Sequence, residues 1–407
     1  MQITPEHPDG GPATAAPPAT STGGLERFLA CILADTSLQK ELAALDSSDA
    51  LAARAAEAAR QRGLDLDAPT IQAAMGGRNS GGNVVAGGVP PVGWLPVAAA
   101  WRDGALALRW SYFGDERLRA PFFEIDARLS LSRPFNRLVR PVGAIDRLPA
   151  GPGAHAPVRP SGLIFHMSRC GSTLVAQMLA ACADNVVISE APPIDAVVRA
   201  HQARPELAED QQARGLAAVV GALGRPRAGE RRYFVKLDCW HTMMFPLFRR
   251  AFPDVPWVFL YRDPVEVMVS QRGMAGVHMI PGALGYPELD GIPASFDQPD
   301  DFCARVLARI CAPVAQQHEQ GGGLLVNYRD LPQALFTDIL PHFGVAASAE
   351  ELAAMAKKAK FDAKTPGLAF TPISQARRAA AEPETRAAAA EWLGDIYGRL
   401  EALRSGA

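Results

Sequence analysis

Lysine is scarce in this chain, with six in 407 residues, and none of them stands in a GxxxxGK[ST] phosphate loop. Cysteine is equally rare: six, at positions 31, 170, 182, 239, 303 and 311, with no CxxC pair and no metal-ligand spacing. That excludes a disulfide framework or a zinc module by pattern and fits free thiols in a reducing compartment. Long apolar runs are missing, since no stretch nears the roughly 18 continuous apolar residues of a membrane span. The opening MQITPEHPDGGPATAAPP lacks the basic flank and apolar core of a secretory signal. Neither charge dominates: 41 basic against 43 acidic residues give −2, which argues against a general nucleic-acid binder. The expectation is a cytoplasmic protein with no membrane and no nucleic-acid partner.

What the chain does have is apolar residues, 48% of the total, and at roughly 150 residues per domain it has room for two or three domains. Residues 1–23 are Pro, Ala, Gly, Ser and Thr with little to pack, and read as a disordered tail. Leu25, Phe28, Leu29, Ile32 and Leu33 then recur at helical spacing until Asp35-Thr36-Ser37 interrupts them. Leu38, Leu42 and Leu45 repeat the pattern. Ser47 or Ser48 is placed to cap an Ala-rich helix running to Arg62, and Asp67-Ala68-Pro69 opens a last short helix to Met75. Gly-rich residues 76–92 read as a linker. Residues 93–148 read as a small α+β unit: LALRWSYF has strand character, and APFFEIDARLSL suits a strand or a helix. A second linker, 149–160, leads to a body spanning 161–407.

That body alternates strand, loop and helix. Short apolar strands are expected at Gly162–His166, Asn185–Ser189, Tyr233–Leu237, Pro256–Tyr261 and Gly323–Tyr328, with helices between them. Such alternation predicts an α/β fold: a parallel sheet with helices on both faces and a ligand beyond the carboxyl ends of the strands.

Two of the strand-to-helix turns carry chemistry. The first is His166-Met167-Ser168-Arg169-Cys170-Gly171-Ser172-Thr173-Leu174. Laid against GxxxxGK[ST], it keeps Gly171 and Thr173 but puts Ser172 where a nucleoside triphosphate needs Lys. The remaining parts still suit a phosphate: a short loop, a helix start with free amides, and the Arg169 guanidinium. The second is Tyr261-Arg262-Asp263-Pro264-Val265-Glu266-Val267-Met268-Val269-Ser270. Arg262 leaves the strand at the ligand edge and Ser270 lies two turns into the helix that Pro264 opens. Both can converge on one compact anion.

Together these segments resemble the sulfotransferases that use 3′-phosphoadenosine 5′-phosphosulfate, whose fold is P-loop-like. The resemblance covers roughly residues 161–345. It implies that Arg169, Cys170, Gly171, Ser172, Thr173 and Leu174 bind the 5′-phosphosulfate, and that Arg262 and Ser270 bind the 3′-phosphate. It further implies transfer to a hydroxyl or amine of a small-molecule or peptide acceptor, with no metal, because a sulfuryl group carries less charge than a phosphoryl group. Arg169 would stabilise charge on the bridging oxygen, and Lys236 could stand near that oxygen. A base must take the acceptor's proton. Glu190, directly after the second strand, and His241, after the third, compete for that role. Lys357, Lys358, Lys360 and Lys364 cluster where the family often closes a basic loop on the nucleotide. The long stretch Gln271–Asp301 is a candidate lid or substrate wall, with His278 and Tyr286 as contacts. The run from Leu25 to Leu66 resembles the helical domain of nitrogen-fixation-operon-type (Nif-eleven) leader peptides, which implies a peptide or protein partner docked through residues 25–75. Two other readings stay open: an ATP–Mg²⁺ phosphotransferase on the same loop, and a non-catalytic nucleotide- or peptide-binding protein.

Overall fold

Five short apolar segments, each bounded by turn residues, form the central sheet of this α/β protein. The computed structural model describes residues 20–76, 83–84, 89–102, 105–148, 158–294, 298–365, 367–369 and 374–406. Most of the expected tail and of both expected linkers lies outside the described residues.

The chain divides into two compact units, residues 1–83 with 133–139, and residues 84–132 with 140–407. The first is helical. Its helices span Thr20–Ala34, Thr36–Ala43, Ser48–Gln61 and Ala68–Gly76. The Asp35 side chain caps the second by accepting from the Ser37 and Leu38 amides at 3.1 and 3.0 Å, and Ser47 caps the third. Phe28, Ile32, Leu42, Leu51 and Ile71 are fully buried, as their helical spacing predicts.

The second unit holds two sheets. In the antiparallel one, β2 (Ala105–Tyr112) lies between β1 (Trp94–Arg102) and β3 (Pro141–Ala144). The strands of segment 93–148, read from the sequence as a small α+β unit, fall in the same compact unit as the α/β body, while residues 133–139 fall in the first unit. The segment APFFEIDARLSL yields a helix, Phe123–Ser132.

The parallel sheet consists of β4 (Gly162–His166), β5 (Asn185–Ser189), β6 (Arg232–Lys236), β7 (Trp257–Tyr261) and β8 (Gly323–Asn327), in the spatial order β5-β6-β4-β7-β8. Every residue of β4, β5 and β7 is buried. Helices cover both faces of such a sheet, which is why these strands read as continuous apolar runs rather than alternating ones. Aromatic packing closes the core under β4: the Phe165 ring stacks on Phe245 at 4.4 Å, and Trp257 meets Phe245 edge-on at 4.7 Å. The chain leaves β4 for β5, returns to β6, then crosses β4 to reach β7. That reversal opens a crevice beyond the carboxyl ends of β4, β6 and β7. Among the described residues, no helix is long and apolar enough to cross a membrane.

Candidate active site

A cleft of about 370 Å³ occupies this crevice. Its floor is the turn after β4, and the backbone there departs from ordinary geometry. Ser168, Arg169 and Gly171 have φ of +80°, +52° and +86°. Left-handed backbone at non-glycine residues is costly and concentrates at functional sites. Left-handed residues beside ordinary backbone shape turns whose concavity suits an anion. Gly171 is required here on two counts: its positive φ, and the 2.8 Å at which an added Cβ would meet Leu331 and Tyr328. Helix Ser172–Ala180 follows with no side-chain cap among the described residues, leaving its first amides and its positive dipole end toward the cleft.

The loop is pinned from several sides. The His166 Nε2–H donates to the Leu237 carbonyl at 2.9 Å, while its Nδ1 accepts from the Ser168 amide at 3.1 Å. Burial, followed by the nearby Lys236, keeps this imidazole below its ordinary pKa. Gln271 donates to Ser168 Oγ at 2.9 Å and accepts from the Gly276 amide at 3.0 Å, tying the loop to the segment after helix Pro264–Gly273. The Arg169 guanidinium donates to the Met274 carbonyl. Cys170 is fully buried with its thiol on the Leu260 carbonyl, and burial pushes it up to about 11, so it acts as packing rather than as a nucleophile.

Both sequence motifs reach this one cleft. Arg169, Cys170, Gly171, Ser172, Thr173 and Leu174 line it, and so do Arg262 and Ser270. Arg262 is buried, its guanidinium 3.8 Å from the centre of the Tyr328 ring and its Nε donating to Glu266 at 2.6 Å. Arg378 also pairs with Glu266 at 2.6 Å and with Asp263 at 3.6 Å, so two guanidiniums face two carboxylates beside the cleft. Asp263 caps the helix by accepting from the Glu266 amide at 3.2 Å.

Glu190 lines the cleft and His241 does not. Glu190 sits at φ +53°, pairs with the Lys236 ammonium and lies 3.3 Å from His166 Nε2. Burial by itself would raise its carboxyl, but Lys236 and His166 outweigh that and hold it well below the usual carboxylate range. Lys236, expected near the bridging oxygen, is buried and is not among the residues lining the cleft; its ammonium is 5.3 Å from the Phe122 ring centre. His241, expected to compete as base, is buried with both ring nitrogens engaged. Its Nδ1 accepts from the Asp238 amide at 3.3 Å and its Nε2–H donates to Asp195 Oδ1 at 3.0 Å. A proton from an acceptor in the cleft has no free lone pair to reach on that ring.

Asp195, Asp238 and His241 each place one ligand atom within 4.8 Å of the others, a grouping of the kind that holds a cation. Here they serve one another and their neighbours. Trp240 donates to Asp195 Oδ1 at 2.8 Å, and Arg199 pairs with Asp195 Oδ2 at 2.8 Å. Buried Asp238 is pushed up to about 7, chiefly by burial, against the pull of His241.

Some lining residues carried no motif. Arg377, on helix Ser374–Ala379, lines the cleft near Arg262 and Arg169 and forms no ion pair among the described residues. Its only trace in the sequence is an Arg377-Arg378 pair with no spacing rule behind it. Of the four clustered lysines, Lys364 alone lines the cleft, and burial with Arg169 and Lys236 nearby lowers it to about 8. Phe122, from the segment between β2 and helix Phe123–Ser132, stands 5.9 Å from the Lys364 ammonium. Gln177 holds that segment in place through the Arg119 and Ala120 carbonyls at 3.3 and 3.0 Å. From the long stretch after Gln271, His278 lines the cleft but Tyr286 does not.

No family model matches the chain and no curated protein matches it, so the leader-peptide resemblance of residues 25–66 finds no support there. Among solved structures the chain is similar to the sulfotransferase domain from the curacin biosynthetic pathway, at 15% identity and TM-score 0.38 over 58% of this chain and 98% of that one. It is similar to the sulfotransferase domain from the Synechococcus PCC 7002 olefin synthase, at 17% identity and TM-score 0.36 over 63% and 96%. A third is the sulfotransferase from Alicyclobacillus acidocaldarius, at 16% identity and TM-score 0.37 over 61% and 96%. These are likenesses of fold and assign no role to any residue here.

Proposed function

We propose that the chain transfers a sulfuryl group from 3′-phosphoadenosine 5′-phosphosulfate to a hydroxyl or amine acceptor. The observation that carries this reading is the convergence of Arg169 with the Gly171–Thr173 turn, and of Arg262 with Ser270, on one cleft. Two anion-binding ends in a single cavity suit a nucleotide with a phosphate at each end of its ribose. Ser172 in place of the Walker lysine removes the group that ordinarily neutralises a triphosphate.

In this reading the amides of the turn and Arg169 hold the 5′ end, and Arg262, Ser270 and Arg377 hold the 3′-phosphate. The acceptor oxygen or nitrogen attacks sulfur as the bond to the bridging oxygen breaks, and Glu190 takes the acceptor's proton. Lys236 serves both events. Paired with Glu190, it keeps the carboxylate ionised but weakly basic. Once the ammonium turns to the charge growing on the bridging oxygen, Glu190 loses its counterion and gains basicity when a proton must be removed.

Calorimetry on the full chain tests the reading, with 3′,5′-adenosine bisphosphate in the absence of metal and, separately, with ATP and Mg²⁺. Tight metal-free binding of the bisphosphate is expected. Preference for ATP–Mg²⁺ would favour a phosphotransferase, and bisphosphate binding without transfer to any acceptor would favour a binding protein.

A further inference from the structure

Next to the main cleft lies a second cavity of about 120 Å³, and His278 lines both. Its wall is built almost wholly from the loop after helix Pro264–Gly273, with Phe302 closing it from helix Pro299–Glu319. Ile280, Leu284, Leu289 and Ile292 make much of that wall aliphatic. Two polar atoms are out of place in it. Tyr286 is 1% exposed, lines the cavity, and its hydroxyl has no hydrogen-bond partner among the described residues. His278, 5% exposed, likewise has an unpartnered Nδ1. Buried polar atoms are nearly always satisfied, and a pair left over in one small cavity marks a place where something polar is received.

The loop is held rather than loose. Arg199 donates to the Leu284 carbonyl at 2.6 Å, lies 4.6 Å from the centre of the Tyr286 ring, and pairs with Asp195. Asp195 in turn is held by Trp240 and His241. The buried Asp–His cluster therefore acts as a clamp on the cavity wall. Outside it, exposed Met274, Val277 and Ile280 form an apolar rim, of which Val277 belongs to the main cleft and Ile280 to the second cavity. An apolar surface thus continues from one to the other.

We infer that this cavity selects the acceptor: it takes one aromatic ring or branched aliphatic chain bearing a hydrogen-bonding group for Tyr286, while the reacting hydroxyl or amine stays in the main cleft beside Glu190. At about 120 Å³ the cavity is of the same order as, though smaller than, the engineered apolar cavity of about 150 Å³ that holds benzene. The inference rests on reading the main cleft as a transfer site, so its test reads binding separately from turnover.

The probes are benzyl alcohol, para-hydroxybenzyl alcohol and ethanol, titrated into the full chain and followed by ligand-observed NMR. Both aromatic alcohols are expected to bind, the para-hydroxy one about three- to tenfold tighter, as one net hydrogen bond provides. Leu289→Trp fills the cavity and weakens both about tenfold or more, with bisphosphate affinity unchanged. Tyr286→Phe removes the preference and leaves benzyl alcohol within about twofold. Should Leu289→Trp fail to fold, as judged by circular dichroism, Ile280→Trp at the exposed mouth replaces it. Absence of aromatic binding, or binding indifferent to the filling variant, overturns the inference. Aromatic binding that depends on Leu289 without sulfuryl transfer would instead support the cavity and sink the sulfotransferase reading.

Discussion

The Glu190 carboxylate and the Lys236 ammonium form an ion pair at the carboxyl ends of adjacent strands, and the Glu190 amide also donates to the Lys236 carbonyl at 2.8 Å. Backbone and side chains therefore tie one residue to the other. The left-handed backbone of Glu190 keeps its carboxylate turned toward the cleft rather than along the following helix.

Replacing that carboxylate tests its role as base. Glu190→Gln is expected to lower single-turnover transfer by about 10²–10⁴-fold, the usual contribution of a positioned base. Bisphosphate affinity should not weaken, since a negative charge has left an anion site. His241→Asn is expected to retain turnover within about tenfold while losing stability, because it strips Asp195 of a donor. The reverse pattern would transfer the base role to His241.

Two of the cleft arginines, Arg262 and Arg377, should separate by measurement. Arg377→Ala is expected to weaken bisphosphate binding by about 1.5–3 kcal/mol, the worth of a charged hydrogen bond, with little change in stability. Arg262→Ala should also cost about 1.5–3 kcal/mol of folding stability, because it removes a buried charged hydrogen bond to Glu266, which keeps Arg378 as its partner. Calorimetry and denaturant unfolding on the same variants read the difference.

Lys364 sets a pH dependence. Lowered to about 8, it is protonated below that pH and neutral above it. Affinity for the bisphosphate should therefore fall as pH rises through about 8. Lys364→Arg, charged throughout, should flatten that fall in titrations at several pH values. An unchanged profile would remove Lys364 from the anion site.

Gly171→Ala combines a strained φ with a clash against Tyr328 and Leu331. It is expected to cost about 1–3 kcal/mol of stability and to abolish metal-free bisphosphate binding as the amides of the turn move. Thermal unfolding and calorimetry check the two parts.

Stability should respond to acid through Glu190. Its folded-state pKa is depressed, so the stabilisation is complete above the unfolded carboxylate value and declines as pH falls through that value toward the folded one. Glu190→Gln should remove this part of the acid-side loss in denaturant unfolding.

The five strands of the parallel sheet could be read to within a residue because both their faces are buried and turn residues flank them. Such signals are local. The turn after β4 was legible for the same reason: Gly171 and the helix start lie within a few residues of one another. The sequence alone also set out Arg169, Arg262, Ser270 and Glu190 on the turns and helices that follow strands, and a parallel sheet collects the starts of these at one edge. Tertiary packing decided what spacing does not encode. His241 follows β6 as Glu190 follows β5, yet its ring turns into the Asp195 clamp and away from the cleft. Arg377, Lys364 and Phe122 come from segments far along the chain and meet at the cleft only because helices and loops from opposite ends of the unit pack over one sheet edge.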